Sequence, residues 1–265
     1  MIRNKSPLRY PGGKTRACKV LDSILVKYFN MDEIEILISP FIGGGSFEFY
    51  LQNKYGIKII ANDKFTPLYS FWYCVKKHKK TIAKCLYSKI GSINKELFID
   101  YRNRIMNETD IKKQAVMFFI INRCSFSGAT LSGGFSKESS VSRFTTSSID
   151  RIDKLDLSQL KIRNWDFTKF IKKYDNRKKR LIFLDPPYYL MKKSKLYGVN
   201  GDLHEKFDHE KLAKILENKT GWTYNNCEYI QELYKKFVII PVDWKYGMNK
   251  SKESSEIVIL SSNIS

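Results

Sequence analysis

Leu181-Ile182-Phe183-Leu184-Asp185-Pro186-Pro187-Tyr188 decides how the rest of the chain is read. Four apolar residues follow the basic run Arg177-Lys178-Lys179-Arg180 without polar alternation, as expected of a strand buried on both faces of a parallel sheet. The strand ends on a carboxylate and then two prolines, which fix φ and lack amide donors, so acceptors predominate there beside an aromatic ring. Such a site suits a planar group carrying an NH2. Asp185 and the Pro186 carbonyl can each accept one N–H, which localises the nitrogen lone pair and turns it out of the ring plane, while Tyr188 stacks on the ring. An exocyclic amine becomes a nucleophile in that setting. Asp-Pro-Pro alone reads equally as a proline turn after a strand; the aromatic at the fourth position and the flanking motifs favour the chemical reading.

Upstream, Leu160 to Asn164 is a second strand candidate, followed by Asp166-Phe167. Further upstream, Ile34 to Ser39 reads as a strand that runs into Pro40-Phe41-Ile42-Gly43-Gly44-Gly45-Ser46 and then a helix carrying Phe47, Phe49, Tyr50 and Leu51. A glycine loop between a first strand and a helix is where doubly wound sheets hold a cofactor, because only glycine lets backbone approach so closely. The spacing is not Gly-x-Gly-x-x-Gly, so no dinucleotide is implied. Ile57 to Ala61 is the next strand and ends at Asn62-Asp63, an acid about 20 residues beyond the glycine loop, where such folds hold ribose hydroxyls. Arg9-Tyr10-Pro11-Gly12-Gly13-Lys14 is a glycine turn with a cation ahead of a helical pattern through Leu21, Ile24, Leu25 and Tyr28; an ordinary N-terminal loop explains it equally well.

Downstream, a lysine- and glycine-containing segment spans Met191 to Glu205, and Asp208 to Leu216 reads as a helix with an Asp N-cap. Thr220 to Tyr224, Phe237 to Val242 and Glu256 to Leu260 bring the strand candidates to seven, with the polar aromatic loop Trp244 to Asn249 between the last two. The alternation predicts an α/β fold with 1–64 and 149–265 forming one catalytic domain.

The intervening stretch, 65–148, breaks that alternation. It carries Lys76-Lys77-His78-Lys79-Lys80, helical patterns around Leu97 to Met106 and Ala115 to Ile121, and a long polar loop from Asn122 through Phe126, Gly128 and Gly133-Gly134-Phe135 to Arg143-Phe144. A long loop mixing glycine, aromatics and arginine suits nucleic-acid contact better than plain solvation. His78 in a lysine run reads as solvated surface. The lysines there are expected to meet phosphates.

The composition bounds the partner. Lys+Arg 47 against Asp+Glu 27 gives a net charge of +20, more than solubility requires, so a polyanion is expected, although an AT-rich genome also raises lysine content. Five scattered cysteines without metal-type spacing imply a reduced compartment and no disulfide framework, and neither His204 nor His209 sits in a metal-ligand spacing. The start Met1 to Pro7 has no apolar leader and no run reaches membrane length, so a soluble, intracellular protein is expected.

Taken together, Pro-Gly-Gly-Lys at 11–14, the glycine loop at 40–46, Asn62-Asp63, the Asn122-Arg123 loop, Asn164-Trp165-Asp166-Phe167 and Asp185-Pro186-Pro187-Tyr188 resemble, in this order and over nearly the whole chain, the alpha-group, Dam-like DNA N6-adenine methyltransferases. The resemblance implies a class I, Rossmann-like fold with a seven-stranded mixed sheet and an inserted, mainly helical target-recognition region. It implies S-adenosylmethionine held by Tyr10, Lys14, Asp63 and Asp185, its methionine side lined by Phe41, Gly43 and Gly45 and its adenine met by Asp166 and Phe167. Asp185, Pro186 and Tyr188 would hold a target adenine swung out of duplex DNA, and direct transfer would need no metal. Arg9 would reach the edge of the recognition site, and Arg123 would read a base from the loop that also holds Phe126 and Arg143. A cognate restriction endonuclease is a further expected partner, and a monomer or weak dimer the expected state. Where such enzymes commonly have Phe-Asn-Gly, this chain has Phe126-Ser127-Gly128, so no recognition sequence carries over. The alternatives are a methyltransferase for RNA or a protein amide, whose relatives favour Asn over Asp185, and a catalytically silent DNA-binding relative, against which Asp185 and Tyr188 speak.

Overall fold

The computed structural model describes residues 4–10, 13–174, 179–189, 207–216, 222–225, 227–243 and 255–260. Strands β1 (Ile36–Ser39), β2 (Lys58–Asn62), β3 (Leu160–Arg163) and β4 (Arg180–Ile182) form a parallel ladder in the order β3-β2-β1-β4. Leu37 of β1 pairs with Ile59 on one side and Leu181 on the other. A second, antiparallel ladder has the order β5-β7-β6, from Trp222–Asn225, Ser255–Leu260 and Val238–Asp243. The expected single sheet is thus divided, among the described residues, into four parallel and three antiparallel strands.

Side-chain packing crosses the division. Leu37, Leu181 and Phe183 share one buried cluster with Val242, Val258 and Leu260, covered by helices α1 (Cys18–Tyr28) and α2 (Ser46–Tyr55). On the opposite face Ile38, Ile182 and Leu184 cluster with Ile257 and Ile259 under Phe170 and Leu212. Alternate residues of a strand point to opposite faces, so both ladders take part in the same two face clusters. The apolar run of β4, which reads as doubly buried, is doubly buried for this reason.

The stretch 65–148 holds four helices, α3 (Thr66–Tyr87), α4 (Lys95–Arg104), α5 (Ile111–Cys124) and α6 (Lys137–Ser142), and the start of a fifth, α7 (Thr146–Asp153), which runs past the expected boundary. The stretch shares a core with the sheet. Phe71 and Trp72 of α3, both fully buried, pack in one cluster with Ile59 and Ala61 of β2, and Phe71 stacks on Phe119 of α5 at 5.6 Å between centroids. Each large ring withdrawn from water stabilises by about 1.5–3 kcal/mol.

The lysine run 76–80 is part of α3, which breaks helical geometry at His78 (φ −134°, ψ 32°). Two of its lysines bind inward: Lys76 Nζ donates to the Leu160 carbonyl and Lys79 Nζ to that of Leu155, the latter at 2.8 Å. The expectation that the whole run faces phosphate therefore narrows to Lys77 and Lys80, which are exposed, while His78 is half-buried. The polar loop 122–144 is also more ordered than its composition suggests: Asn122 and Arg123 end α5, and Ser125 bridges to Phe135.

The segment 191–205 and the loop 244–249 lie outside the described residues, as do Pro11 and Gly12. Among the described residues no helix is long and apolar enough to cross a membrane, and no three His, Cys, Asp or Glu side chains gather as a metal-binding group.

Candidate active site

The ends of β1, β2 and β4 open on one cavity of about 410 Å³. Its floor is the turn after β1. Gly43 and Gly45 there have φ of +49° and +68°, a region side chains rarely adopt, and a Cβ on Gly43 would lie 2.9 Å from the Tyr10 ring. Glycine is needed both for the turn and for the ring that packs on it. Asn62, at the end of β2, ties this floor to the next strand's exit: its amide donates to the carbonyls of Pro40 and Trp165 and accepts from the Trp165 N–H.

Asp63 follows. One carboxylate oxygen accepts the Gly43 N–H at 3.1 Å and the other the Phe65 N–H at 3.0 Å, so the acid braces the glycine loop from behind. Burial pushes its pKa up to about 6 against the pull of those two N–H groups. Asp166 caps helix α8 (Phe167–Lys173) by accepting from the Thr168 N–H at 3.0 Å, with Lys64 Nζ 3.3 Å from its other oxygen. Phe167 leans on Phe41 at 5.8 Å, and both meet Phe207, at 5.2 and 5.6 Å. The three rings form one wall of the cavity.

At the end of β4 the fold sets a charged network. Lys14 Nζ lies 2.8 Å from Asp185 Oδ1 and donates to the Tyr188 hydroxyl at 2.6 Å. That hydroxyl donates to Glu256 Oε2 at 2.7 Å. Lys14 is 3% exposed, so its ammonium is withdrawn from water and held by side chains, whereas the Asp185 side chain keeps 26% exposure on the cavity. Pro186, Pro187 and Tyr188 complete the same wall.

Besides Glu256, further contributors escape a reading of the sequence. Glu48, 3% exposed in the first turn of α2, lines the cavity and accepts from Ser39 Oγ at 2.7 Å. Burial pushes its carboxyl up to about 7, with Asp185 adding to the rise and Ser39 and Lys14 opposing it. Its only sequence signal is an acid between Phe47 and Phe49 directly after the glycine loop. Phe207 sits at the edge of a stretch without pattern. Ala129, Thr130 and Leu131, from short helical turns in the inserted stretch, border the cavity as well.

The four residues expected to meet DNA are placed differently from one another. Phe126 is 68% exposed, next to Ser127 in left-handed geometry (φ 51°), and Arg143 is exposed. Arg9 is half-buried: its guanidinium donates to the carbonyls of Arg123 and Ser125 and to Ser139 Oγ, while Asn122 pins its backbone. Arg123 is turned inward. It is 7% exposed, its Nε donates to the Arg143 carbonyl at 2.7 Å and its Nη1 to that of Pro7 at 3.3 Å. Burial, then Arg9, Arg151 and Arg143, lower its pKa to about 10, so it stays charged near neutrality. Through Nε and Nη1 the fork braces the chain at Arg143 and Pro7, a role its place in an aromatic loop does not announce.

A parallel sheet with a glycine-floored, acid-lined cavity at its strand ends, bordered by an acceptor-rich Asp-Pro-Pro-Tyr turn, has the ligand-binding arrangement of open α/β enzymes. The family model of the D12 class N6 adenine-specific DNA methyltransferases matches residues 10–248, and the chain belongs to that family. It is an adenine-specific DNA methyltransferase. It is also 25% identical to the Type II methyltransferase M.MjaIII of Methanocaldococcus jannaschii, over 91% of this chain and 92% of that protein.

Proposed function

We propose that this enzyme transfers a methyl group from S-adenosylmethionine to the N6 amine of an adenine swung out of duplex DNA, by direct transfer within the cavity beside Asp185. The observation that carries the reading is the Asp185 carboxylate, partly open to the cavity at the end of β4 and followed by two prolines and Tyr188. Two N–H groups of an adenine amine find their acceptors in Asp185 and the Pro186 carbonyl, and the ring stacks on Tyr188. Positioning and fixed polar groups supply most of the acceleration.

The cavity chemistry fits the cofactor. In a protein of net charge +20, its lining carries Glu48, Asp63, Asp166, Asp185 and Asp208 against three lysines, an acidic excess that suits a ligand with a sulfonium and an ammonium group. When bound, the cofactor supplies an electrophilic methyl group. Tyr10, Lys14, Phe41, Gly43 and Gly45 would hold its amino-acid side and Asp63 its ribose, with Asp166 and Phe167 at its adenine. Asp185 would serve both cofactor and target.

The same reading places β4 beside β5 in one seven-stranded layer of order β3-β2-β1-β4-β5-β7-β6, supported by the clusters that the two ladders share. It assigns DNA recognition to 65–148 with Arg9, Phe126 and Arg143. A monomer or weak dimer in the cell interior, paired with a restriction endonuclease as the Type II name of the relative suggests, completes it.

Incubation with S-adenosylmethionine labelled in the methyl group tests this reading against duplex DNA, RNA and a peptide amide offered in parallel. Label recovered as N6-methyladenine in DNA is the expected result; label in RNA or peptide alone, or in cytosine, contradicts it.

A further inference from the structure

Glu256 lies on β7, 71 positions beyond Asp185, and takes no part in the methyl transfer as proposed so far. It is 1% exposed, and Ile257, Val258, Ile259 and Leu260 after it are buried apolar residues. A carboxylate in such a strand costs desolvation that an apolar side chain would avoid. Its Oε2 accepts from the Tyr188 hydroxyl at 2.7 Å and stands 3.6 Å from Lys14 Nζ, the ammonium that also pairs with Asp185 at 2.8 Å.

The Tyr188 hydroxyl accepts from Lys14 and donates to Glu256, so the far edge of the ring is fixed from two sides. The Lys14 charge is divided between two carboxylates, which leaves Asp185 a stronger acceptor than it would be in an exclusive pair. We propose that Glu256 is a positioning residue for methyl transfer: by holding the Tyr188 hydroxyl and sharing Lys14, it presents the stacking ring and the Asp185 carboxylate to the target amine. The inference rests on the methyl-transfer reading. It adds the last strand of the fold to the machinery, although Glu256 touches neither substrate in that role.

The test uses the full chain with unmethylated plasmid DNA and labelled S-adenosylmethionine. Turnover, KM for DNA, affinity for S-adenosylhomocysteine and melting temperature are measured for wild type, Glu256→Gln, Glu256→Ala, Tyr188→Phe and the double variant Glu256→Gln/Tyr188→Phe. We expect kcat to fall about 10-fold with Gln, which keeps an acceptor, and about 100-fold with Ala, the scale of a misplaced reacting group. KM and product affinity should stay near wild type, and the double variant should lose little beyond Tyr188→Phe, because both changes break one unit. Wild-type kcat in a folded Glu256→Gln, or losses that multiply in the double variant, would overturn the proposal. So would a kcat that falls only with the folded fraction, which is the behaviour of a merely structural acid. Absence of transfer by wild type is a different outcome: it removes the methyl-transfer reading itself, and the positioning role with it.

Discussion

Glu48 and Asp63 are two acids held by the fold in opposite manners. Asp63 gives both oxygens to backbone N–H groups of the cavity floor, and a charge-assisted bond of that kind contributes about 1.5–3 kcal/mol. Asp63→Ala is expected to weaken cofactor binding by that amount, measured calorimetrically, and to loosen the Gly43 turn; unchanged affinity would take Asp63 out of the site. Glu48 accepts from one serine hydroxyl and is pushed up to about 7 by burial. Its folded pKa lies above its ordinary value, so between about pH 4.5 and 7 the native state keeps a proton that the unfolded chain releases. The contribution of Glu48 to stability therefore falls as pH rises through that window. Glu48→Gln has no proton to lose, so its stability relative to wild type should improve from pH 5 to pH 8 by something on the order of 3 kcal/mol. Urea unfolding at both pH values reads this directly, and parallel pH profiles for the two proteins would contradict it.

At the scale of elements, the residues legible in sequence are those whose chemistry admits few substitutes. Gly43 and Gly45 mark a turn with positive φ, and Asp63 marks the end of β2 by its distance from them. The prolines after Asp185 mark a strand exit. Glu256 was not legible, because one acid at the head of Ile257-Val258-Ile259-Leu260 looks like the end of a strand and its partner Tyr188 is 68 residues away. Arg123 was legible only as a fork in an aromatic loop, and a fork fits backbone carbonyls as well as a guanine edge. The C-terminal end of α5 turns it onto Pro7 and Arg143. Arg123→Ala leaves two carbonyls short of a buried donor and should cost about 1–3 kcal/mol of stability. Melting temperature should drop while the ratio of methylation on matched and one-base-mismatched duplexes stays constant; an altered ratio in a stable protein would favour the base-reading role.

For the whole molecule, the charge of +20 acts through the lysines that remain on the surface. Lys76 and Lys79 are held by carbonyls at Leu160 and Leu155, so the run divides into two bracing and two exposed lysines, a split invisible without the β3 and α7 ends that receive them. Replacing Lys77 and Lys80 together with Ala should flatten the salt dependence of DNA binding by roughly 0.9 for each phosphate no longer neutralised, on every sequence alike. A salt slope equal to that of wild type would show that DNA passes elsewhere. The central claim, that this molecule marks adenine through Asp185, is tested most directly by single-molecule sequencing of DNA from cells expressing either wild type or Asp185→Ala. In the variant Lys14 keeps Glu256 as a counter-charge 3.6 Å away, and a melting temperature measured alongside shows that Asp185→Ala is folded. N6-methyladenine in one recurring sequence context with wild type, and none with Asp185→Ala, is the predicted result; no modified adenine with wild type, or an undiminished mark with the variant, would contradict it.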